Sequence, residues 1–108
     1  MVETGNLFQN VPVGASSEVF EALISRLGLR VERIVSHGQA SPQGFWCQQV
    51  EAEWVVVLQG RACLRFEEGE VYDMFPGSYV LIPTGIRHRV DWTDPAVPTI
   101  WLAIHFSA

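Results

Sequence analysis

From residue 29 onward the chain is a succession of short, β-prone segments separated by turn residues. The turn signals lie at Gly60, Glu68-Gly69, Pro76-Gly77, Pro83–Gly85 and Asp94–Pro98. They divide the sequence into eight segments, LRVERIVS, GFWCQQ, EWVVVLQ, ACLRF, EVYDM, YVLIP, RHRVDW and TIWLAIHF. Many short strands with regular punctuation are typical of an antiparallel barrel or sandwich. The pattern therefore predicts an all-β domain of about eight strands.

The segment before residue 29 has a different pattern of apolar and polar residues. Residues 1–15 are interpreted as an extended arm, and SSEVFEALISRLG predicts one short helix near residues 16–28. Its apolar residues recur at helical spacing, and a glycine stands where a helix commonly ends; these residues are Phe20, Leu23, Ile24, Leu27 and Gly28. We therefore expect an arm and helix over residues 1–28 that pack on a barrel formed by residues 29–108, in one domain.

Composition excludes several classes of function. The chain of 108 residues has 7 basic and 12 acidic residues and a net charge of −5, whereas nucleic-acid binding requires a basic surface. The start MVETGNLFQN lacks the features of a secretory signal, and the longest apolar run, Trp54–Leu58, is too short to span a membrane. We expect a cytoplasmic protein with no nucleic-acid or membrane partner, in which Cys47 and Cys63 are free thiols.

The most specific motif is GSYVLIPTGIRH. It consists of Gly77, five residues, Pro83, one residue, Gly85, two residues and His88. A strand that ends at a Pro-Gly turn would let the next strand begin by directing His88 into the barrel. This segment resembles the second motif of the cupin family, in which three more residues and then an asparagine follow the histidine. The match is complete through His88, and Trp92 stands in place of that asparagine.

A second motif lies upstream. In EWVVVLQG, Glu53 precedes Gly60 by seven positions, which is similar to the second half of the first cupin motif. In the full motif an H-x-H element lies three or four residues before the glutamate. With three intervening residues its two histidine positions fall on Cys47 and Gln49; with four, they fall on Trp46 and Gln48. We favour the first register because Cys47 and Gln49 would share one strand face and are both chemically able to line a polar site.

Together the two motifs identify a resemblance that covers about residues 29–106. The chain resembles the small single-domain bacterial cupins of the conserved-barrel type, in a subgroup that lacks the H-x-H histidines. This resemblance implies a double-stranded β-helix, also called a jelly-roll barrel. Because that barrel carries unrelated activities, the fold alone does not decide the function.

The resemblance also implies a set of metal ligands. Cupins typically hold a divalent metal with three histidines and the glutamate, and the matching positions here are Cys47, Gln49, Glu53 and His88. Thiolate and imidazole favour zinc, copper, nickel or ferrous iron, whereas an amide oxygen is a weak ligand. We therefore expect a divalent transition metal at partial occupancy. His105 is a second-line candidate, as a substitute ligand, a proton carrier or a hydrogen-bonded core histidine.

Two hypotheses for the function follow. The first is a metal-binding cupin of unassigned reaction that acts on or binds a small organic molecule in the barrel. The second is a non-catalytic barrel without a metal that binds or senses such a ligand. In either case the pocket is expected to include Tyr79, Trp92, Trp101 and His105, because aromatic walls with a few polar groups suit small ligands.

Two further expectations concern packing. On the strand EWVVVLQ, Val55 and Val57 should face inward with Glu53, while Trp54, Val56 and Leu58 face outward. The apolar residues of the predicted helix, the arm and the outer face of this strand exceed what one small barrel can cover. We therefore expect a homodimer.

Overall fold

The structure, a computed structural model, describes residues 1–107 and consists of eight antiparallel strands in two sheets. The strands are β1 (Val19–Arg26), β2 (Leu29–Ser36), β3 (Ala52–Gln59), β4 (Ala62–Phe66), β5 (Val71–Met74), β6 (Tyr79–Ile82), β7 (His88–Thr93) and β8 (Thr99–Phe106). The larger sheet has the order β1-β2-β8-β3-β6, and the smaller sheet has the order β5-β4-β7. The fold is the predicted jelly-roll barrel.

The predicted helix near residues 16–28 is wrong, and no α-helix occurs among residues 1–107. The segment forms β1, which pairs with β2 through a hairpin whose turn contains Gly28 at a φ of 76°. A β-bulge between Ala22 and Ile24 interrupts the alternation of β1. This extra residue shifts the apolar side chains from a period of two toward the spacing of a helix. The described residues accordingly contain no helix of the length and apolarity that a membrane crossing requires.

The arm before β1 is held against the outer face of the larger sheet by Arg33. The guanidinium of this buried residue donates hydrogen bonds to the backbone carbonyls of Leu7, Gln9 and Asn10 over 2.6–3.2 Å. It also forms an ion pair with Glu21 at 2.8 Å. The charge of Arg33 is thus compensated by one carboxylate and by three carbonyls of the arm.

A second difference concerns the segment GFWCQQ, which was predicted as a strand. Only Cys47 makes strand-like contacts, in an isolated bridge to His88 at the start of β7. The two residues exchange backbone hydrogen bonds of 2.7 and 3.0 Å. The structure therefore has the expected number of strands, but one of the eight is β1, and the segment GFWCQQ is not among them.

The core lies between the two sheets. On β3, Glu53, Val55 and Val57 are buried while Trp54 and Val56 are only partly buried, which confirms the predicted orientation of this strand. The buried cluster comprises Ile34, Val55, Val57, Ala62, Leu64, Phe66, Met74, Ile82, Trp101 and Ala103.

The turn between β3 and β4 packs tightly on the start of β8. Gly60 lies there at a φ of 84°, and a Cβ atom on it would come within 2.7 Å of the Cα atom of Thr99. The Thr99 hydroxyl donates a hydrogen bond to the carbonyl of Arg61 at 3.1 Å. Thr99 therefore joins this turn to β8 and closes one end of the barrel interior.

Candidate functional site

The candidate site is a cavity of about 390 Å³ at the other end of the barrel interior. Strands β2, β3, β7 and β8 and the segment before β3 contribute to its lining. Its titratable or chemically reactive side chains are Glu18, Arg30, Glu32, Cys47, Glu53, His88, Arg89 and His105. A cavity of this size is sufficient for a small organic molecule.

Glu53 lines this cavity from β3. The alternation of β3 directs its side chain inward, and the residue is 8% exposed. Its two carboxyl oxygens lie 3.8 Å from Nε2 of His88 and 4.0 Å from Nε2 of His105. Burial, together with the nearby carboxylate of Glu32, raises the pKa of Glu53 from 4.5 to about 7. Glu53 can therefore carry or release a proton near neutral pH.

His88 begins β7, immediately after the Pro-Gly turn of the second motif. Its Nδ1–H donates a hydrogen bond to the backbone carbonyl of Ile86 at 3.1 Å. This bond fixes the tautomer in which Nε2 carries a lone pair directed toward Glu53. Burial lowers the pKa of His88, so that the neutral imidazole is favoured. The motif thus delivers His88 to the interior, as predicted.

His105 faces the cavity from β8, directly opposite Glu53 in the strand register. Its Nε2 atom lies 3.1 Å from Oε1 of Glu32, and its Nδ1 atom lies 3.2 Å from Oε1 of Gln49. Burial is the main cause that lowers the pKa of His105, and the positive charge of Arg30 acts in the same direction. His105 therefore belongs to a hydrogen-bonded cluster and does not stand alone in the core.

Cys47 and Gln49 line the cavity from the segment before β3. Nε2 of Gln49 lies 3.5 Å from Sγ of Cys47, and burial raises the pKa of the Cys47 thiol. In the alternative register, Gln48 is exposed and donates a hydrogen bond to the carbonyl of Gly85 at 3.0 Å. The register that places Cys47 and Gln49 on the cavity is therefore the one that the structure favours.

The predicted metal ligands come together around the cavity, but they do not fit a metal site in this arrangement. The Gln49 amide contacts Cys47 and His105, and the thiol of Cys47 would have to lose its proton before it could bind a metal. Within residues 1–107, no group of three or more His, Cys, Asp or Glu side chains is placed to hold a metal ion. A metal site on these residues stays a prediction.

The four residues predicted for the ligand pocket divide into two pairs. Trp101 and His105 line the cavity, whereas Tyr79 and Trp92 do not. Tyr79 is opposite the outward-facing Val56 in the register of β3 and β6 and is 66% exposed. Trp92 lies on the outer face of the smaller sheet and is 45% exposed. The sequence predicted strands here but not the face that each of these two side chains occupies.

Sequence reasoning missed four charged residues of the cavity, which are Glu18, Arg30, Glu32 and Arg89. Arg30 and Glu32 alternate on β2 with Ile34, so a period-two interpretation of LRVERIVS could have placed them on the inner face. Glu18 precedes β1, and its hydrogen bond with the hydroxyl of Ser36 brings it to the cavity. Glu18 could not be recognised as a cavity residue, because the segment was interpreted as a helix in which this residue would lie in the first turn.

The comparisons with known proteins agree with this architecture. A protein from Ralstonia eutropha JMP134 that is assigned only provisionally as a mannose-6-phosphate isomerase is 48% identical, with a TM-score of 0.96 over 99% of this chain and 100% of that one. The TT1209 protein from Thermus thermophilus is 18% identical, with a TM-score of 0.81 over 98% of each chain.

A cupin superfamily protein from Desulfitobacterium hafniense DCB-2 is 14% identical, with a TM-score of 0.75 over 91% of this chain and 84% of that one. These last two similarities concern the fold alone. No curated protein matches the chain. The family model described as "Cupin domain" matches residues 33–105, and the chain therefore belongs to the cupin family.

Proposed function

We propose that the chain is a cupin enzyme that binds a small, hydroxyl-bearing organic molecule in the barrel cavity and transfers a proton on it, as isomerases do. The position of Glu53 in the lining of the cavity, within 4.0 Å of two imidazole nitrogens, carries this proposal. The provisional assignment of the relative from Ralstonia eutropha as an isomerase supports the same class of reaction.

The arrangement is suited to moving a proton between two atoms of one substrate. A carboxyl group and an imidazole that face the same space can act as acid and base in turn. The hydrogen bond from His88 to the carbonyl of Ile86 leaves Nε2 of His88 as a proton acceptor. His105 is oriented by Gln49 and Glu32. The substrate would displace water from the cavity and contact Glu53 directly.

Exchange of carbon-bound hydrogen with solvent tests the reaction without requiring the product to be known. The protein is incubated in D₂O with mannose or with mannose 6-phosphate, and proton NMR follows the loss of the C2–H signal. We expect enzyme-dependent exchange with at least one sugar, and we expect Glu53→Gln to slow it by about 10²–10⁴-fold. Glu68→Gln, which alters an exposed carboxylate, is the matched control. If the wild-type protein catalyses no exchange on either sugar, the isomerase proposal fails for these substrates.

Non-catalytic binding is the second candidate function. It is favoured by the replacement of the H-x-H positions with Cys47 and Gln49, whose side chains contact each other. Calorimetry on the same sugars distinguishes the two candidates. Saturable binding without hydrogen exchange supports a binding or sensing role, whereas binding with exchange supports the enzyme.

Metal binding remains a separate prediction. If Cys47, Gln49, Glu53 and His88 rearranged into a ligand set, the protein would take Zn²⁺, Ni²⁺ or Cu²⁺ in preference to Mg²⁺ or Ca²⁺. Elemental analysis of protein purified without a histidine tag should then find a substoichiometric transition metal, and His88→Ala should remove it. Absence of metal after incubation with these ions, together with no heat in a calorimetric titration, would contradict this prediction.

We also propose that the chain forms a homodimer. The outer face of the larger sheet carries an apolar patch in which Trp54 is opposite both Leu81 and Ile104, and Val56 is opposite both Tyr79 and Leu102. Tyr79 and Leu81 are 66% and 56% exposed. A second copy of the chain would cover this face. Sedimentation at tens of micromolar, an ordinary working concentration, should give twice the mass of one chain, and a strict monomer would contradict the proposal.

A further inference from the structure

The cavity is acidic, and its positive charges are already compensated. Three carboxyl groups line it, those of Glu18, Glu32 and Glu53, against the two guanidinium groups of Arg30 and Arg89. Each arginine is also paired with a carboxylate just outside the lining, Arg30 with Glu51 and Arg89 with Asp91. The carboxylates around the cavity therefore outnumber the guanidinium groups, even when Glu53 is protonated.

Both arginines are engaged by other groups, and of their six guanidinium nitrogens only Nη2 of Arg30 has no partner within residues 1–107. Arg30 contacts Glu32 through Nε at 3.3 Å and Glu51 through Nη1 at 3.1 Å. Arg89 uses Nε on Asp91 at 2.8 Å, Nη1 on two backbone carbonyls and Nη2 on the carbonyl of Ser41 at 2.9 Å. A phosphate bound here would have to break these contacts before it could form the bidentate pair that it forms best with arginine.

The two histidines do not supply an anion site either. The Nδ1–H group of His88 is used by the carbonyl of Ile86, and Nδ1 of His105 faces the Gln49 oxygen. The Nε2 atoms of both rings lie beside carboxylates. Within residues 1–107, no group donates a hydrogen bond of normal length to the Glu53 carboxyl. Neither imidazole ring therefore offers a free N–H group to an anion.

From this distribution we infer that the ligand carries a positively charged amino group and no phosphate or carboxylate. The ammonium group would contact Glu53, where it would supply the positive partner that a buried carboxylate requires. Trp101 borders the same space and offers an apolar wall to the carbon skeleton. The net charge of −5 would also attract cations and repel anions at longer range. This inference rests on the proposed function, in that it names the ligand of the same cavity.

A matched series of sugars tests the inference. Mannosamine, mannose and mannose 6-phosphate share one carbon skeleton and differ in charge, and each is titrated by calorimetry into protein that has been treated with EDTA and dialysed. We expect mannosamine to bind about tenfold or more tightly than mannose, because a hydrogen bond between charged groups contributes about 1.5–3 kcal/mol. Mannose 6-phosphate should bind more weakly than mannose.

Two Glu→Gln variants test whether a carboxylate of the cavity determines the order of the three affinities. Glu32→Gln removes a cavity carboxylate and frees one side of Arg30, so the preference for mannosamine should fall and mannose 6-phosphate should gain affinity. Glu67→Gln removes a carboxylate that pairs with Arg87 at 2.7 Å on the surface, and it should leave the order of the three sugars unchanged.

The possible outcomes separate the two proposals. If mannose 6-phosphate binds most tightly, or if the three affinities are equal, the inference about charge is overturned. The proposal that the cavity binds a small hydroxyl-bearing molecule then stands. If none of the three sugars binds, both are overturned. If Glu67→Gln changes the order as much as Glu32→Gln does, the preference arises from the overall charge of the chain, which also overturns the inference.

Discussion

The two ends of the barrel interior are built on the same strands but have opposite chemistry. At the end closed by the turn between β3 and β4, Val57 is 0% exposed, and Ala62 and Met74 are each 2% exposed. At the other end the same strands place Glu53 opposite His105, and both face a cavity. The closed end gains stability from apolar burial, whereas the cavity end retains groups that are costly to bury. One short barrel thus separates the residues that stabilise it from those that can act on a ligand.

The largest effect on stability is expected from Met74→Ala at the closed end. This change removes a fully buried side chain and leaves a void, which typically costs about 2–5 kcal/mol. Val71→Ala on the same strand alters an exposed residue and should cost under about 0.5 kcal/mol. Urea denaturation measures both free energies of unfolding. Equal effects of the two substitutions would contradict the view that the closed end supplies the stability.

The next largest effect concerns Glu53 and its dependence on pH. Its pKa is raised from 4.5 to about 7 in the folded chain, so the folded state holds this proton more tightly than the unfolded state does. The stabilisation is fully present below pH 4.5 and is lost as the pH rises through 7, by a total of about 3 kcal/mol. The free energy of unfolding of the wild-type protein, relative to that of Glu53→Gln, should fall across this range.

Comparison with the variant is necessary for this measurement, because burial lowers the pKa values of His88 and His105. Their contribution is present above pH 6.5 and is lost as the pH falls through the lowered values, which opposes the trend of Glu53. The variant retains both histidines, so the difference between the two proteins reports mainly on Glu53. A difference that stays constant between pH 4.5 and 8 would contradict the assignment of an acid with a raised pKa to the cavity.

A smaller effect is expected at Ser36, which connects the core to the cavity. Its hydroxyl accepts a hydrogen bond from Nε1 of Trp101 at 3.0 Å and donates one to Glu18. Ser36→Ala would leave two polar groups without these partners, at a cost of about 1–3 kcal/mol. Ser25→Ala, on the exposed part of β1, is the control and should have little effect. Thermal unfolding of the two variants checks the difference.

The smallest effect is expected outside the barrel. Glu67 and Arg87 form an exposed ion pair at 2.7 Å, and such pairs contribute about 0–1 kcal/mol. Glu67→Gln should therefore change the free energy of unfolding by less than about 1 kcal/mol in urea denaturation. A loss as large as that of Met74→Ala would show that stability is not concentrated at the closed end.

The parts of the fold that could be predicted are those in which local pattern and tertiary contacts agree. β3 alternates regularly from Glu53 to Val57, so its inward and outward faces were predicted correctly, and the Pro-Gly turn placed His88 in the interior. β1 was missed because its bulge mimics helical spacing, and because Gly28 suits a helix end and a hairpin turn equally well. Only pairing with β2 decides between the two, and that contact is not visible in a local pattern.

The site was predicted less completely than the fold. Cys47, Gln49, Glu53, His88, Trp101 and His105 all face the cavity. Glu32 and Arg30 were not recognised, although Glu32 lies closer to His105 than Glu53 does. Their roles depend on which strands become neighbours, here β2 beside β8. Tyr79 and Trp92 were misplaced because aromatic character favours strands without determining which face a side chain occupies.

The glycine at the β3–β4 turn has a consequence for how the first motif should be used. At Gly60 even alanine would bring its Cβ atom to 2.7 Å from the backbone of Thr99, at a φ that side chains rarely adopt. Library selection for folded protein should therefore retain glycine alone at this position, whatever the ligand. Glu53, at the opposite end of the same strand, would be retained only under selection for activity. A match to this glycine in another sequence thus indicates the same backbone conformation at the turn. A match to the glutamate indicates the same chemistry in the cavity.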